Sequence, residues 1–377
     1  MNSPIMLRLS SVLAGLTITL LLASWIVPFL QFSKAGQFDF WLVWLLCMVV
    51  LALPFSLLEV ALAKRSKATP LSALMVLTRE ADAKPVWRLV GWLSAAVMAL
   101  VAGRLLYQSS AMAFGGMDNV PVEAMTYLPM MMMVLGIALS FVPRQVLIIV
   151  ASIAAVIATV FSFAQVGVGT WQWTAFSLQE WAWAVSLALV ASGLGFGIYW
   201  QLNANQSGNQ SATQSTNQSA LASTVASSHA TSSALPFWVA QIIGGLMIAM
   251  VQGFHGTVAL WFYGVALLTG GAFLINLVRE QLQARGIHQL LQWVFIMVGL
   301  LVWLLPMQSM LTLITVILAL IVCVLYAVFS GWMMKISHLR KALNFEHEAI
   351  YNLWRIAVRV VIPVAVIVAI IGLVLPA

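Results

Sequence analysis

The stretch that decides the fold is residues 181–201, WAWAVSLALVASGLGFGIYWQ. It is apolar enough to lie in a bilayer, yet its centre, Ser192 to Gly197, reads SGLGFG. Each glycine weakens a helix by about 1 kcal/mol relative to alanine, so this centre predicts a break. Two interpretations stay open. The break can hold a substrate or an ion near the membrane midplane, or the small residues can let two helices pack closely.

The composition predicts a polytopic membrane protein whose main partner is the lipid bilayer. Hydrophobic residues make up 63% of the chain and charged residues 7%, whereas a soluble domain carries about 25% charged residues. The lysines and arginines are spread over short connections and form no nucleic-acid patch. Cys47 and Cys323 both lie inside apolar runs, so neither a disulfide framework, a metal site nor a cofactor is expected.

Apolar runs long enough to cross about 30 Å of hydrocarbon recur along the chain. They predict eleven spans, and the boundary between the fourth and fifth rests only on Pro143-Arg144. The predicted spans lie near residues 8–31, 39–63, 87–114, 123–142, 144–168, 178–201, 235–254, 257–278, 286–305, 309–334 and 352–375.

The basic residues predict a cytoplasmic N-terminus, because cytoplasmic connections carry an excess of Lys and Arg. The connections on the other side hold Lys34 and little else that is basic. A bacterial inner membrane fits this pattern. The residues placed inside are Lys64, Arg65, Lys67, Arg79, Lys84, Arg88, Arg144, Arg279, Arg285, Lys335, Arg340, Lys341 and Arg355.

The chain divides around residues 202–234, a Ser/Asn/Gln/Thr/Ala tract without acidic or basic side chains. Such a composition cannot bury a core and predicts a flexible cytoplasmic linker. Residues 1–201 then hold spans one to six, and residues 235–377 hold spans seven to eleven. Two amphipathic segments, 64–87 and 336–351, are expected at the cytoplasmic surface.

Several motifs in order resemble the neurotransmitter:sodium symporter family. Pro54 and Glu59 match a proline and glutamate of that family's second helix. The SGLGFG of residues 192–197 resembles its unwound sixth helix. Thr269 matches the threonine of its sodium-binding segment Gly-Leu-Thr-Ser-Ser, and residues 355–363 resemble its Arg-Tyr-Ile-Thr-Pro stretch. The resemblance covers nearly the whole chain.

The resemblance implies an all-α membrane protein with the inverted five-plus-five repeat of the bacterial leucine transporter fold. In that family, helices one and six are both broken at a central site. Here residues 15–25 read GLTITLLLASW, without the family's asparagines and later glycines, which favours an unbroken first helix. Gly270 and Gly271 replace two serines. Because a hard cation needs roughly six oxygen ligands, sodium coupling in the family manner is not expected.

Arg104 is the most informative single residue for function, because it is a charged residue in the middle of the third predicted span. A charge there costs between about 3 and about 15 kcal/mol, so it should find a partner. The resemblance places Arg104 and Leu105 where the family has paired tyrosines, one of which contacts the substrate carboxylate. In that family, the glutamate at the position of Glu59 braces the break of helix six. Three interpretations stay open: a fixed charge replacing sodium, a structural Arg104–Glu59 pair, or an arginine that snorkels outward.

The leading hypothesis is secondary transport of a small amino acid or amine by alternating access, without sodium coupling of the family type. No nucleophile, phosphate loop or metal-binding spacing is present, so an enzyme is not expected. The alternative is a degenerate transporter that serves a membrane protein as an embedded accessory or regulatory subunit. Leu20, Leu21 and Leu22 would favour it by filling the central site. The predicted substrate-binding residues are Arg104, Leu105, Tyr107, Ser192, Gly193, Gly195, Phe196 and Thr269.

Overall fold

The computed structural model describes residues 4–26, 36–114, 122–167, 171–204, 230–251, 253–334, 336–345 and 347–375. Within these ranges, eight helices are long and apolar enough to cross a membrane, and three shorter apolar helices accompany them. The eleven helices match the eleven predicted spans in order. The chain is therefore an all-helical, integral membrane protein, as predicted.

The helices are α1 (Pro4–Ile26), α2 (Phe38–Ser66), α3 (Pro70–Glu80), α4 (Leu89–Phe114), α5 (Val122–Leu139), α6 (Arg144–Val166), α7 (Leu178–Ala191), α8 (198–204), α9 (Ala230–Val251), α10 (Thr257–Ala284), α11 (Gln289–Leu301), α12 (Gln308–Met333), α13 (Ile336–Leu343) and α14 (Glu348–Val374). Two short strands, β1 (Gly36–Gln37) and β2 (Trp171–Gln172), pair in parallel.

The core is built around α10, which packs against α4 and α6, while α1 packs against α9. Glycines set the closest approaches. A methyl group at Gly15 of α1 would lie 2.6 Å from the carbonyl oxygen of Phe237 in α9. One at Gly103 of α4 would lie 2.6 Å from the carbonyl oxygen of Gly299 in α11. Small residues thus let the backbones pack closely. Close packing matters because the hydrophobic effect does not drive helices together in lipid.

Helix α1 is one uninterrupted α-helix, which confirms the expectation drawn from its bulky Leu and Ile residues. The predicted sixth span is divided instead, into α7 and α8. The predicted linker lies outside the described residues over 205–229. At its edges, residues 202–204 continue α8 and residues 230–234 belong to α9.

Four helices contain one turn of π-helix, in the middle of α2 and α14 and at the end of α7 and α12. Prolines explain two of these turns, because Pro54 and Pro363 each follow one closely and cannot donate a backbone hydrogen bond. The wide turn of α2 contacts those of α7 and α14, and the wide turn of α12 also contacts that of α14. Irregular backbone is therefore gathered around the break. The four turns are Met48–Ala52, Leu187–Ala191, Phe329–Met333 and Ala357–Val361.

Candidate functional site

The site is built on the break between α7 and α8, at residues 192–197. Gly193, Gly195 and Gly197 have φ values of +77°, +82° and +75°, a region that residues with side chains rarely adopt. Space is limiting as well, because a methyl group at Gly195 would lie 2.6 Å from the Sγ of Cys323. The predicted break is confirmed, and it requires glycine for both backbone shape and packing.

Side chains from three other helices hold the backbone groups that the break frees. The N–H of Gly195 donates to Oε1 of Glu59 at 2.8 Å, and the hydroxyl of Ser94 donates to the Gly195 carbonyl at 3.0 Å. The thiol of Cys323 lies 3.6 Å from the Leu194 carbonyl as a weak donor. The break is therefore tied to α2, α4 and α12.

The first carbonyl of the break, that of Ser192, has two further donors. The hydroxyl of Tyr199 donates to it at 2.7 Å, and Nε2 of Gln241 donates at 3.0 Å. The ring of Tyr199 stacks on Phe237, with 4.3 Å between centroids and 4° between planes. Helix α9 thus braces the break through Gln241 and Phe237.

The second oxygen of Glu59 lies apart from the bond to Gly195. The residue is 1% exposed, and its Oε2 has no partner in full hydrogen-bonding geometry among the described residues, although the backbone N–H groups of Gly197 and Trp200 lie near the carboxylate. A buried polar atom without a partner is costly and rare in native proteins. This oxygen is therefore a candidate acceptor for a donor that arrives with a substrate.

Aliphatic side chains of α1 fill the space beside the break. Ile18 lies against Gly193, since a methyl group there would be 2.7 Å from its Cγ2. Leu21 fills the place that a side chain at Gly270 would take, and Leu105 lies next to it. Leu20, Leu21 and Leu22 are each fully buried.

Of the predicted substrate-binding residues, those of the break lie against α1, and Leu105 and Thr269 lie where α4 and α10 pack. Gly193 contacts Ile18, and Leu105 meets Gly270, the neighbour of Thr269. The hydroxyl of Thr269 donates to the Val265 carbonyl of its own helix at 2.8 Å. The remaining members of the group, Ser192, Gly195 and Phe196, are buried in the break itself.

Arg104 and Tyr107 form a second group, on a different face of α4. The guanidinium carbon of Arg104 lies 5.4 Å from the centroid of the Trp303 ring and 5.9 Å from that of Tyr107. Trp25 packs edge-on against Trp303, with centroids 6.3 Å apart. Tyr263 lies within electrostatic range of the guanidinium. The arginine thus occupies an aromatic surround at the end of α11.

No ion pair between Arg104 and Glu59 is present among the described residues, and the structural pair of these two residues stays a prediction. Glu59 contacts the break, and the described contacts of the two residues do not include each other. Ser94, which also contacts the break, lies ten residues before Arg104 on α4. Ten helical residues span about 15 Å, so the two charges lie at different depths.

A polar cluster closes the end of the bundle where basic residues gather. Arg144 at the start of α6 pairs with Glu280 of α10, with 3.1 Å between nitrogen and oxygen. Nε2 of Gln201 in α8 donates to the same carboxylate oxygen at 2.7 Å. Sequence reasoning missed this cluster, and it missed Ser94 and Cys323 at the break. The sequence signal that could have found Ser94 is a polar residue inside an apolar run.

Comparison with solved structures identifies the fold of this chain. No protein-family model and no curated protein matches the sequence. Among solved structures, the chain is similar to MhsT, which was crystallised in complex with L-phenylalanine. The TM-score is 0.65 at 16% identity, and the match covers 98% of each chain. The likeness shows that this chain has the fold of the neurotransmitter:sodium symporters.

Proposed function

We propose that this chain is a secondary transporter of a small amino acid or amine that works by alternating access. The observation that carries the proposal is the break at residues 192–197, which lies within the buried core of the bundle. Unpaired backbone groups cost several kcal/mol each in lipid, so a broken span is retained only where it is covered or used. Transporters use discontinuous helices of this kind to hold substrate near the membrane midplane.

The contacts that hold the break suit a moving part. Each is a single side-chain hydrogen bond, and the donors and acceptors come from α2, α4, α9 and α12. A shift of α9 or α12 relative to α2 would exchange these contacts for others at small cost. The freed backbone groups would then face a substrate, as in carriers built on discontinuous helices.

Sodium coupling in the family manner is not part of the proposal. Helix α1 is continuous, so its carbonyls are engaged within the helix. Gly270 has no side-chain oxygen, and the hydroxyl of Thr269 donates to the carbonyl of Val265. These positions supply few free oxygens, whereas a hard cation takes six or more.

The proposed substrate combines an ammonium group with an apolar body. Oε2 of Glu59 is a buried acceptor for the ammonium group, and Ile18, Leu21 and Leu105 offer aliphatic contact. Because MhsT holds L-phenylalanine, that amino acid is the first probe. The basic end of the bundle supports a cytoplasmic N-terminus, and a bacterial inner membrane is the proposed location.

The test is the thermal stability of the purified protein with a panel of amino acids and amines, in sodium or potassium salt. A ligand raises the stability by about 2.7 kcal/mol at a hundredfold excess over its Kd. We expect an equal shift in both salts with L-phenylalanine or a related compound. A shift that requires sodium would overturn the coupling part of the proposal.

The second candidate function is an accessory or regulatory subunit of another membrane protein. The observation that favours it is the complete burial of Leu20, Leu21 and Leu22 in α1, the helix whose Ile18 contacts the break. If that packing is permanent, no ligand of the panel stabilises the protein and proteoliposomes show no uptake. A membrane protein that co-purifies in fixed stoichiometry would then support this candidate.

A further inference from the structure

A narrow cleft at the basic end of the bundle lies between the end of α12, α13 and the start of α14. Ser330, Tyr351, Arg355 and Arg359 line it. Over the described part of the chain, no carboxylate lies within ion-pairing distance of Arg355 or Arg359. The nearby Glu348 is engaged by Arg340 at 3.2 Å. The cleft therefore carries positive charge that the described residues leave uncompensated.

Ser330 is separate evidence for a ligand, because it does not depend on the charge of the arginines. It is 1% exposed, yet its hydroxyl has no hydrogen-bond partner among the residues that the structure describes. Most serines within membrane helices donate to a carbonyl of the preceding turn, as Ser186 does here. A buried hydroxyl without a partner next to two arginines matches the hydrogen-bonding demand of a phosphate oxygen.

Arg359 is held in place before any ligand binds. Its Nε donates to the Gly331 carbonyl, and its guanidinium carbon lies 5.4 Å from the centroid of the Trp332 ring. The indole N–H of Trp332 donates to the Arg359 carbonyl at 3.3 Å. Only glycine fits at position 331, because a methyl group there would lie 2.8 Å from the Cγ of Arg359.

The surroundings of the cleft are apolar and outward-facing. Trp332, Leu353, Ile356 and Val360 are between 51% and 69% exposed. In a membrane-spanning helix such a face contacts acyl chains. Side chains of a helix lean toward its N-terminus, so the arginines of α14 reach back toward the headgroup level.

We propose that this cleft binds the phosphate of an anionic phospholipid. The cleft has a volume of about 10 Å³, enough for one oxygen-sized group. Arg355 and Arg359 would pair with the phosphate at the mouth of the cleft, one phosphate oxygen would enter it and accept from Ser330, and the exposed apolar residues would contact the acyl chains. Basic pockets between membrane helices recognise headgroups in this way. A lipid fits better than free phosphate, because charge and exposed apolar surface lie side by side.

The experiment measures thermal stability and lipid retention of delipidated protein. The protein is reconstituted in phosphatidylcholine alone or mixed with phosphatidylglycerol, and inorganic phosphate is tested separately. We expect phosphatidylglycerol to stabilise the wild type and inorganic phosphate to have no effect. The double variant Arg355→Gln/Arg359→Gln should bind phosphatidylglycerol about thirtyfold more weakly, or about 2 kcal/mol.

Two further variants keep the test decisive. Arg285→Gln removes a charge at the same end of the bundle but outside the cleft, and it should retain full binding. Gly331→Ala displaces Arg359 without removing charge and should weaken binding. An equal loss in Arg285→Gln, an equal effect of inorganic phosphate, or no preference of the wild type for phosphatidylglycerol would each overturn the proposal.

Discussion

Glu59 is the side chain that most directly satisfies the backbone of the break. It accepts the Gly195 N–H at 2.8 Å within a fully buried surround. Glu59→Ala leaves that N–H unpaired, so we expect a loss of about 1–3 kcal/mol in the free energy of unfolding. Glu59→Gln keeps an oxygen acceptor of the same shape and serves as the control. Equal thermal stability of the two variants would contradict this role.

Substitution of Arg104 tests whether its charge in α4 binds a substrate or stabilises the fold. Its described neighbours are the ring faces of Trp303 and Tyr107, which pack against an arginine stem but do not require it. If the charge serves a substrate, Arg104→Ala should yield folded protein whose affinity for an amino-acid ligand falls tenfold or more, since a hydrogen bond to a charge is worth about 1.5–3 kcal/mol.

The measurement is ligand-induced thermal stabilisation, with Arg104→Lys as the variant that keeps the charge. Recovery of part of the affinity in Arg104→Lys supports a charge role. Loss of folded protein in Arg104→Ala would show a structural role instead.

The sequence predicted some of these contacts and could not predict others, for a physical reason. Glycine spacing predicted the break, because a break depends on local backbone needs. The family resemblance implied that Glu59 braces it, since that contact joins residues far apart in the chain. The depth of Arg104 relative to Glu59 depends on the register in which α2 and α4 pack, so the sequence alone could not decide whether the two residues pair. Ser94 and Cys323 reach the break only through tertiary packing.

Packing between α1 and α10 replaces the sodium-binding segment that the family resemblance implied. Leu21 fills the space beside Gly270, so Gly270→Ala should overpack the core and destabilise the protein by about 1–3 kcal/mol. Leu21→Ala alone should cost about 2–5 kcal/mol by leaving a cavity.

The double variant of Gly270→Ala and Leu21→Ala should lose less free energy of unfolding than the two single variants lose together. The reason is that the new methyl group enters the space that Leu21 vacates. Thermal unfolding of the four proteins checks the cycle. Gly286→Ala, at a glycine with φ +74° and nothing within 4 Å, measures backbone strain alone. Strict additivity would show that the two helices do not share this contact.

Across the whole molecule, the eleven spans follow from apolar length alone, because the bilayer demands about 20 apolar residues per crossing. The order of the spans around α10 does not follow from length, and only the family resemblance suggested it. The cluster of Arg144, Glu280 and Gln201 depends on that lateral arrangement, which explains why no sequence pattern indicated it.

This cluster gives a test of motion that separates a carrier from a static subunit. Cys323 is fully buried beside the break, and buried thiols react slowly. If the basic end opens during alternating access, Glu280→Gln should weaken its closure. The labelling rate of Cys323 by N-ethylmaleimide should then rise about fivefold, which corresponds to roughly 1 kcal/mol.

The measurement uses a Cys47→Ser background, so that Cys323 is the one remaining thiol. The reverse background, with Cys323→Ser, reports on Cys47, which is buried in α2. If Glu280→Gln raises the labelling of both thiols equally, the variant has loosened the whole bundle. If neither rate changes, the packing of leucines around the break is permanent, because a thiol that contacts a moving break cannot stay protected. The accessory-subunit function would then be the better account of this fold.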